Sequence, residues 1–321
     1  MQAAVLTGPG AIELARVPLP EPGPGEVRVA LEGCGVCASN VDPWLGQPWS
    51  RFPGEPGGMG HEGWGTIDAV GDGVDLAPGT RVATLSGRSY AEFDVATADQ
   101  VITLPDDLAG RPFPAEPFGC AMNVAARADI RPGQWVAVIG AGFIGAVVTR
   151  LASRAGARVI AISRRASSRA LARQMGAEVT IAMDDHRRII ESVKTVAGEA
   201  LCPRVIECVG AQWPLDLATE LVGFGGRLVV AGYHQDGPRQ VNMQAWNWKG
   251  IDVANAHERD PAVQRGGAKR AAAAVAAGEI DPAPLLTHRF ALDQLGQALA
   301  ATRDKPEGFV KGWVDIGGSW A

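Results

Sequence analysis

Two patterns of hydrophobic and polar positions divide the chain. Before about Pro114, short runs alternate apolar and polar residues, as in EVRVALEG, where Val27, Val29 and Leu31 share one face. Gly, Pro and Asp turns close these runs, which is typical of half-buried antiparallel strands. After about Gln134, nearly continuous apolar runs such as WVAVIG and RLVVAGY alternate with helical segments such as SSRALARQMG. Repeated β–α units of this kind predict a buried parallel sheet.

The predicted fold class is therefore α/β, with a small β domain followed by a doubly wound parallel sheet. We expect GIDVANA to add a strand at the edge of that sheet, and PLDLATELVGFGG to be a helix between two of its strands. The stretch PLLTHRFALDQLGQALAATR predicts a strand and then a helix that folds back onto the first domain.

Composition narrows the classes of protein. The 321 residues suffice for two domains with cores of their own. A formal net charge of −5 with no basic run argues against nucleic-acid binding. No apolar run approaches the roughly 18 residues of a membrane span, and MQAAVLTGPGAIEL lacks the pattern of a signal peptide. Five irregularly spaced cysteines favour a reduced, cytoplasmic protein.

The run VAVIGAGFIGAVV carries glycines in G-x-G-x-x-G spacing between a predicted strand and a predicted helix. In that context the glycines allow a tight turn, the approach of a pyrophosphate to the backbone, and close helix–strand packing. The alternative is a glycine-rich turn that binds nothing. The predicted cofactor-binding residues of this loop and of two later strand ends are Gly140, Gly142, Phe143, Ile144, Gly145, Val209 and Gly232.

The end of the second strand of this domain indicates which nucleotide binds. An acidic residue there accepts hydrogen bonds from the ribose 2′-hydroxyl of NAD. This chain has Ser163, Arg164 and Arg165 instead, and an arginine binds a 2′-phosphate through charge-assisted hydrogen bonds. We therefore predict NADP(H) in preference to NAD(H). The alternative is that the arginines only begin the next helix on a solvated face.

Candidate metal ligands are scattered over the first part of the chain. Cys37 lies in GCGVCAS, His61 and Glu62 in GHEGWG, and Glu116 and Cys120 in EPFGCAMNVAARA. Two thiolates, an imidazole and optional carboxylates suit zinc. Spacing alone leaves a second interpretation open, because cysteine also packs as a small apolar residue and a lone histidine is often structural. The cysteines expected only to pack are Cys34, Cys202 and Cys208.

The motifs GCGVCAS, PGGMGHEGWGTIDAVGDGV, EPFGCAMNVAARA and VIGAGFIG together resemble the zinc-dependent alcohol dehydrogenases of the medium-chain dehydrogenase/reductase superfamily. The resemblance extends over nearly the whole chain. It implies a GroES-like catalytic domain of residues 1–121 and 257–321, which carries the zinc. It also implies a Rossmann domain of residues 122–256, which carries the cofactor, with the active site in the cleft between the domains.

The resemblance also implies roles for individual residues. Cys37, His61 and Cys120 match the three ligands of the catalytic zinc, and Glu62 matches a glutamate that approaches the metal or rests beside it. Ser39 matches the hydroxyl that relays the substrate proton.

Glu116 matches an acid that orients a water at the metal, as in polyol-dehydrogenase-like members. Glu62, Glu116 and Ser39 are therefore the expected catalytic residues beside the ligands.

Three departures from the family pattern change these expectations. Asn40 replaces an aspartate whose charge would help to orient His61. Asp42 replaces the histidine that often ends the proton relay. RVATLSGRSYAEF contains no cysteine where many members have a four-cysteine lobe, so we expect one catalytic zinc and no structural zinc.

The sequence thus predicts a zinc-dependent alcohol dehydrogenase or carbonyl reductase. It would transfer a hydride between NAD(P) and a small-molecule alcohol that is secondary, polyol-like or bulky. Aromatic residues near the metal motifs either form a wall of the substrate site or belong to the core: Trp44, Trp49, Phe52, Trp64 and Phe118. The alternatives are a zinc-free quinone or enoyl reductase of the same superfamily, and a non-catalytic NADP(H)-binding sensor. The resemblance also implies a homodimer or homotetramer, with GIDVANA as a candidate interface strand.

Overall fold

The computed structural model describes residues 1–317, which fold into two compact units. The first unit comprises Met1–Gly119 and the chain from Arg265 onward, and the second comprises Cys120–Gln264. The sequence places the two boundaries after residues 121 and 256, whereas the units change after residues 119 and 264. Residues 318–321, the end of the predicted first domain, lie outside the described residues.

The strands are numbered along the chain. Their bounds are β1 Gln2–Gly8, β2 Ala11–Arg16, β3 Glu26–Gly35, β4 Gly63–Val70, β5 Arg81–Thr84, β6 Phe93–Thr97, β7 Val101–Thr103, β8 Trp135–Ile139, β9 Arg158–Ser163, β10 Val179–Ala182, β11 Cys202–Glu207, β12 Val222–Val230, β13 Asp252–Asn255, β14 Leu286–Ala291 and β15 Lys311–Asp315.

The helices are numbered in the same way. Their bounds are α1 Val41–Leu45, α2 Ala115–Ala128, α3 Phe143–Arg154, α4 Ala166–Gln174, α5 His186–Ala197, α6 Gln212–Leu221, α7 Met243–Lys249, α8 Pro261–Ala276 and α9 Leu295–Asp304. Short 3₁₀ helices cover Ala38–Asn40, Ala98–Gln100, Asp106–Leu108 and Leu292–Gln294. No helix within residues 1–317 is long and apolar enough to cross a lipid bilayer.

In the first unit, a seven-stranded sheet has the order β14-β15-β3-β4-β5-β7, with β6 also pairing with β3. The alternation predicted for β3 is confirmed, because Val27, Val29 and Leu31 are all buried in one apolar cluster. The last residue of β3 is Gly35. A Cβ atom at Gly35 would overlap the carboxylate of Glu62, so this glycine leaves the space in which that side chain lies.

In the second unit, six strands form a parallel sheet of order β10-β9-β8-β11-β12-β13. Counted from β8, this is the order 3-2-1-4-5-6 of dinucleotide-binding folds. The apolar runs are buried as predicted, with Ile139, Ile160 and Val205 fully inaccessible. The predicted fold class is confirmed, and GIDVANA supplies the edge strand β13.

One helix boundary was predicted wrongly. The predicted helix PLDLATELVGFGG ends at Leu221, and strand β12 begins at Val222, where it pairs with Cys202 of β11. Lys249 stabilises this helix end, because its ammonium group donates hydrogen bonds to the carbonyl oxygens of Thr219 (2.8 Å), Glu220 (3.0 Å) and Val222 (3.1 Å). A distant cation thus satisfies carbonyl groups that the helix leaves open at its end.

Candidate metal centre and dinucleotide site

Three of the predicted metal-site residues converge in the first unit. The Sγ of Cys37, a ring nitrogen of His61 and a carboxylate oxygen of Glu62 all lie within 4.8 Å of one another. Strand pairing brings them together, because Cys37 follows β3 while His61 and Glu62 directly precede β4, and β3 and β4 are antiparallel neighbours. A sulfur, a nitrogen and an oxygen donor at this spacing fit a zinc ion.

The imidazole of His61 is oriented by the backbone. Its Nδ1 lies 2.9 Å from the carbonyl oxygen of Met59, an arrangement in which Nδ1 carries the proton and donates it. The other ring nitrogen, Nε2, is then left for a metal ion. Burial by itself lowers the pKa of His61. A hydrogen bond between its ring and Cys37, together with the charge of Cys37, raises the pKa of His61 to about 10. Metal binding at neutral pH therefore releases a proton from this ring.

Ser39 lies directly beside the candidate ligands. Its hydroxyl group donates to the sulfur of Cys37 over 3.1 Å and lies 3.5 Å from the Oδ1 atom of Asn40. The side chain is half-buried. This position is compatible with the predicted relay of a substrate proton, which stays a prediction.

Sequence reasoning missed Lys311, the first residue of β15. Its ammonium group lies 2.8 Å from Oε1 and 2.7 Å from Oε2 of Glu62, and both residues are almost fully buried. Burial alone lowers the pKa of Lys311, but the negative charge of Glu62 raises it above its ordinary value, with a smaller effect from Cys37. Lys311 thus compensates the negative charges of the site. A lysine between the apolar residues of VKGWVD is the only sequence signal, because its partner is 249 positions away.

Glu116 and Cys120 lie in helix α2, one turn apart and hence on one face. The negative charge of Glu116 contributes to the raised pKa of both His61 and Lys311, which places this carboxylate near them. Cys120 is the first residue of the second unit. Its role as a ligand together with Cys37 and His61 stays a prediction.

Most of the aromatic residues near the metal motifs belong to the core. Trp44, Trp64 and Phe118 are buried, and Phe118 stacks on Phe113 with ring centres 5.1 Å apart. Trp49 differs, because 56% of its surface is exposed. It borders a cavity of about 300 Å³ lined by Leu6, Pro43, Ser50, Arg51, Gly54, Glu55, Gly58, Met59 and Gly87.

In the second unit, the backbone at the three fingerprint glycines is compatible with the roles predicted for them, which stay predictions. Gly140 has a φ angle of 94°, in the region that favours glycine. A Cβ atom at Gly142 would meet nothing within 4 Å, so open space lies where a pyrophosphate would approach. A Cβ atom at Gly145 would overlap the carbonyl oxygen of Gly140. Phe143 and Ile144 form the first turn of α3, so the loop fits a dinucleotide phosphate.

The two later strand ends lie at the same edge of the sheet as this loop. A Cβ atom at Gly140 would come within 2.6 Å of Val209, which follows β11 and is 41% exposed. A Cβ atom at Gly232, which follows β12, would overlap the backbone nitrogen of Gly210. The structure therefore brings Val209 and Gly232 to the edge of the sheet at the carboxyl ends of its strands, where α/β proteins bind nucleotides.

A buried carboxylate that sequence reasoning missed shapes this edge. Glu207, the last residue of β11, is fully buried and accepts hydrogen bonds from the backbone nitrogens of Val209 (2.6 Å) and Gly210 (2.9 Å). Its other oxygen lies 3.1 Å from Nε2 of His234. Arg239 donates through Nε to Nδ1 of His234 over 2.9 Å, so the ring carries its proton on Nε2 and donates it to Glu207.

The predicted 2′-phosphate residues lie at the end of β9. Ser163 is buried, Arg164 is exposed and Arg165 is half-buried at the start of α4. Arg169, which sequence reasoning missed, donates to the carbonyl oxygens of Ser163 (2.9 Å) and Arg164 (2.6 Å). It therefore stabilises the turn to which Arg164 belongs.

Comparisons with known proteins identify the family of each unit. Residues 23–106 match the alcohol dehydrogenase GroES-like domain, and residues 144–266 match the zinc-binding dehydrogenase family. Human sorbitol dehydrogenase is 30% identical over 263 residues, which cover 71% of this chain and 73% of that protein. The rat enzyme is 29% identical over 342 residues, which cover 93% of this chain and 92% of that protein.

A solved structure shows the same fold. A protein of Sinorhizobium meliloti 1021 described as a zinc-binding dehydrogenase, bound to NADP, has a TM-score of 0.82 and 27% identity, over 98% of both chains. The chain belongs to the zinc-dependent alcohol dehydrogenase family of the medium-chain dehydrogenase/reductase superfamily. The resemblance inferred from the sequence motifs is thus confirmed, as are the GroES-like and Rossmann folds.

Replacing Lys311 tests the charge balance of the metal site. Lys311→Met removes the ammonium group that forms an ion pair with the buried carboxylate of Glu62, so we expect the free energy of unfolding of the metal-free protein to fall by about 3–5 kcal/mol. Lys311→Met/Glu62→Gln should be less destabilised, because the unpaired charge is gone. Denaturant titration monitored by tryptophan fluorescence measures both. Lys194→Met, at an exposed ion pair, is the control and should change little. If Lys311→Met were as stable as Lys194→Met, Lys311 would not be the residue that balances the charge of Glu62.

Proposed function

We propose that this protein is a zinc-dependent alcohol dehydrogenase or carbonyl reductase that transfers a hydride between NADP(H) and a secondary, polyol-like or bulky alcohol. The observation that carries the proposal is the convergence of Cys37, His61 and Glu62, with a ring nitrogen of His61 left for a metal. The fingerprint loop of the second unit supports the nicotinamide cofactor.

Different residues would hold the zinc, take the substrate proton and orient the substrate. Cys37, His61 and Cys120 would hold one catalytic zinc per chain, with Glu62 beside it. When bound, zinc supplies Lewis acidity that makes a substrate hydroxyl more acidic, and the nicotinamide ring accepts or returns the hydride. Ser39, with its hydroxyl 3.1 Å from the sulfur of Cys37, would take the proton of the substrate hydroxyl. Glu116 adds negative charge beside His61 and Lys311 and would orient a water molecule or the substrate.

The substrate class is supported by the relatives and by the polarity of the site. Sorbitol dehydrogenases match over 92% or more of this chain in several mammals and in chicken, and their substrate is a polyol by name. The candidate site brings a carboxylate, a hydroxyl and an amide near one another. Hydroxylated alcohols are therefore expected to react better than short primary alcohols.

Cys37→Ala tests the metal-dependent reaction. The variant should lose zinc and turnover, while its affinity for NADPH stays near that of the wild type because the fingerprint loop belongs to the other unit. Metal analysis, steady-state kinetics over a panel of alcohols and titration of NADPH fluorescence measure the three quantities. Wild-type protein without zinc would favour the zinc-free reductase. Zinc-loaded protein that binds NADPH but oxidises no alcohol of the panel would favour the sensor.

The preference for NADP(H) rests on the turn after β9. Arg164 and Arg165 follow β9 directly, Arg169 donates hydrogen bonds to the carbonyl oxygens of Ser163 and Arg164, and β9 ends at Ser163 rather than at a carboxylate. A ribose 2′-phosphate gains charge-assisted hydrogen bonds from such a cluster.

Arg165→Ser and Arg164→Ser test this preference. Loss of one charge-assisted hydrogen bond should lower kcat/KM for NADP by about 10–100-fold and leave kcat/KM for NAD nearly unchanged. Initial rates with both cofactors measure the effect. Arg173→Ser, on an exposed position at the far end of α4, is the matched control. Equal kcat/KM values for NAD and NADP in the wild type would refute the assignment.

We also propose that the protein is a homodimer or homotetramer joined through β13. This strand is at the edge of the parallel sheet, and the chain from Val241 to Val253 exposes large apolar side chains, including Trp248 at 78%. An open strand edge beside exposed apolar surface favours pairing with another chain.

Val253→Lys tests this interface. A lysine on an edge strand opposes strand pairing, so sedimentation velocity should show a shift from the oligomer toward the monomer. Val70→Lys is the matched control, because Val70 is on a strand of the other unit and is exposed to the same degree, 36%. A wild-type protein that sediments as a monomer would rule the interface out.

A further inference from the structure

The side chain of Asn40 forms hydrogen bonds away from the helix that it precedes. Asn40 precedes helix α1, yet its side chain does not cap that helix. It is almost fully buried, and its amide nitrogen instead donates to the carbonyl oxygen of Met59 (3.0 Å) and to the hydroxyl of Tyr90 (2.9 Å).

The carbonyl of Met59 is the acceptor that orients His61. It therefore receives two hydrogen bonds, one from Nδ1 of His61 and one from the amide of Asn40. Met59 has a φ angle of 69°, a left-handed conformation that a residue with a side chain rarely adopts. Such a conformation persists where surrounding contacts hold it, and the bond from Asn40 is one such contact.

The direction of each hydrogen bond follows from chemistry. A carbonyl oxygen only accepts, so the group that faces Met59 must be a donor. Tyr90 is fully buried and its hydroxyl donates to the carbonyl oxygen of Gly35 over 3.2 Å, which leaves its oxygen to accept from Asn40. Both hydrogens of the amide are thus used. A carboxylate at position 40 would instead place an oxygen against the oxygen of Met59.

We propose that Asn40 is a positioning residue for His61, and that an amide is required there because it acts through the carbonyl of Met59. By holding that carbonyl, Asn40 keeps the proton of His61 on Nδ1 and turns Nε2 toward the metal. A carboxylate that accepts directly from the histidine is the usual alternative device. In this chain a neutral donor and a strained backbone carbonyl replace it. The inference rests on the proposed metal site.

Asn40→Asp separates this role from simple electrostatics. The added negative charge attracts a divalent cation, so electrostatics alone predicts tighter zinc binding. Loss of the donor to Met59 predicts the opposite, weaker binding by about 10–100-fold, as for other groups that orient a metal ligand. Zinc affinity is measured on folded protein by competition with a chromophoric chelator. Asn242→Asp is the matched control, since Asn242 only accepts, from the backbone nitrogen of Ala245, and a carboxylate can do the same.

The tautomer of His61 gives a second readout that needs no variant. Nitrogen-15 NMR of zinc-loaded wild-type protein should show His61 protonated on Nδ1 and metal-bound through Nε2. Asn40→Asp should lose this single state. Zinc affinity of Asn40→Asp equal to or above that of Asn242→Asp would overturn the proposal, as would metal bound through Nδ1 in the wild type. Neither readout uses turnover, so absence of alcohol oxidation would count against the proposed function and not against this role.

Discussion

The ion pair between Glu62 and Lys311 lies at the centre of the candidate metal site and stabilises it. Strand β3 lies between β15, which begins with Lys311, and β4, which begins just after Glu62. The pair therefore reaches across the end of β3, and it fits there because Gly35 has no side chain. A buried carboxylate without a counter-charge is strongly unfavourable. The strand order, the glycine and the lysine thus depend on one another, and Cys37 follows directly from the strand that they enclose.

Around this pair, the candidate ligands are oriented by backbone groups rather than by further charges. The carbonyl of Met59 orients His61, and Asn40 orients that carbonyl. The carboxyl groups of Glu62 and Glu116 already belong to the candidate site, so a neutral amide avoids adding another carboxylate to a buried position. The same balance explains why Lys311 keeps its proton despite its burial.

The second unit uses a comparable device for the nucleotide. The loop after β8 relies on the absence of side chains, since Gly142 faces open space and Gly145 packs against Gly140. The loop after β11 relies on Glu207, whose buried carboxylate collects two backbone N–H groups and the ring of His234. Each unit thus has a buried carboxylate beside its candidate site, and each carboxylate has a partner from a distant segment of the chain. Glu62 pairs with Lys311 in the first unit, and Glu207 accepts from His234 in the second.

Local features of the sequence were enough for the fold class and for most candidate site residues. Alternation in β3, the apolar runs of the parallel sheet and the spacing of Gly140, Gly142 and Gly145 each depend on neighbours in the chain, so a single sequence carries them. Such local patterns could not predict the roles of Lys311, Glu207 and the carbonyl group of Met59. Their roles arise from strand order and turn conformation, which bring together groups as far apart as Glu62 and Lys311. Burial then decides which polar contacts must form, and burial is a property of the folded chain.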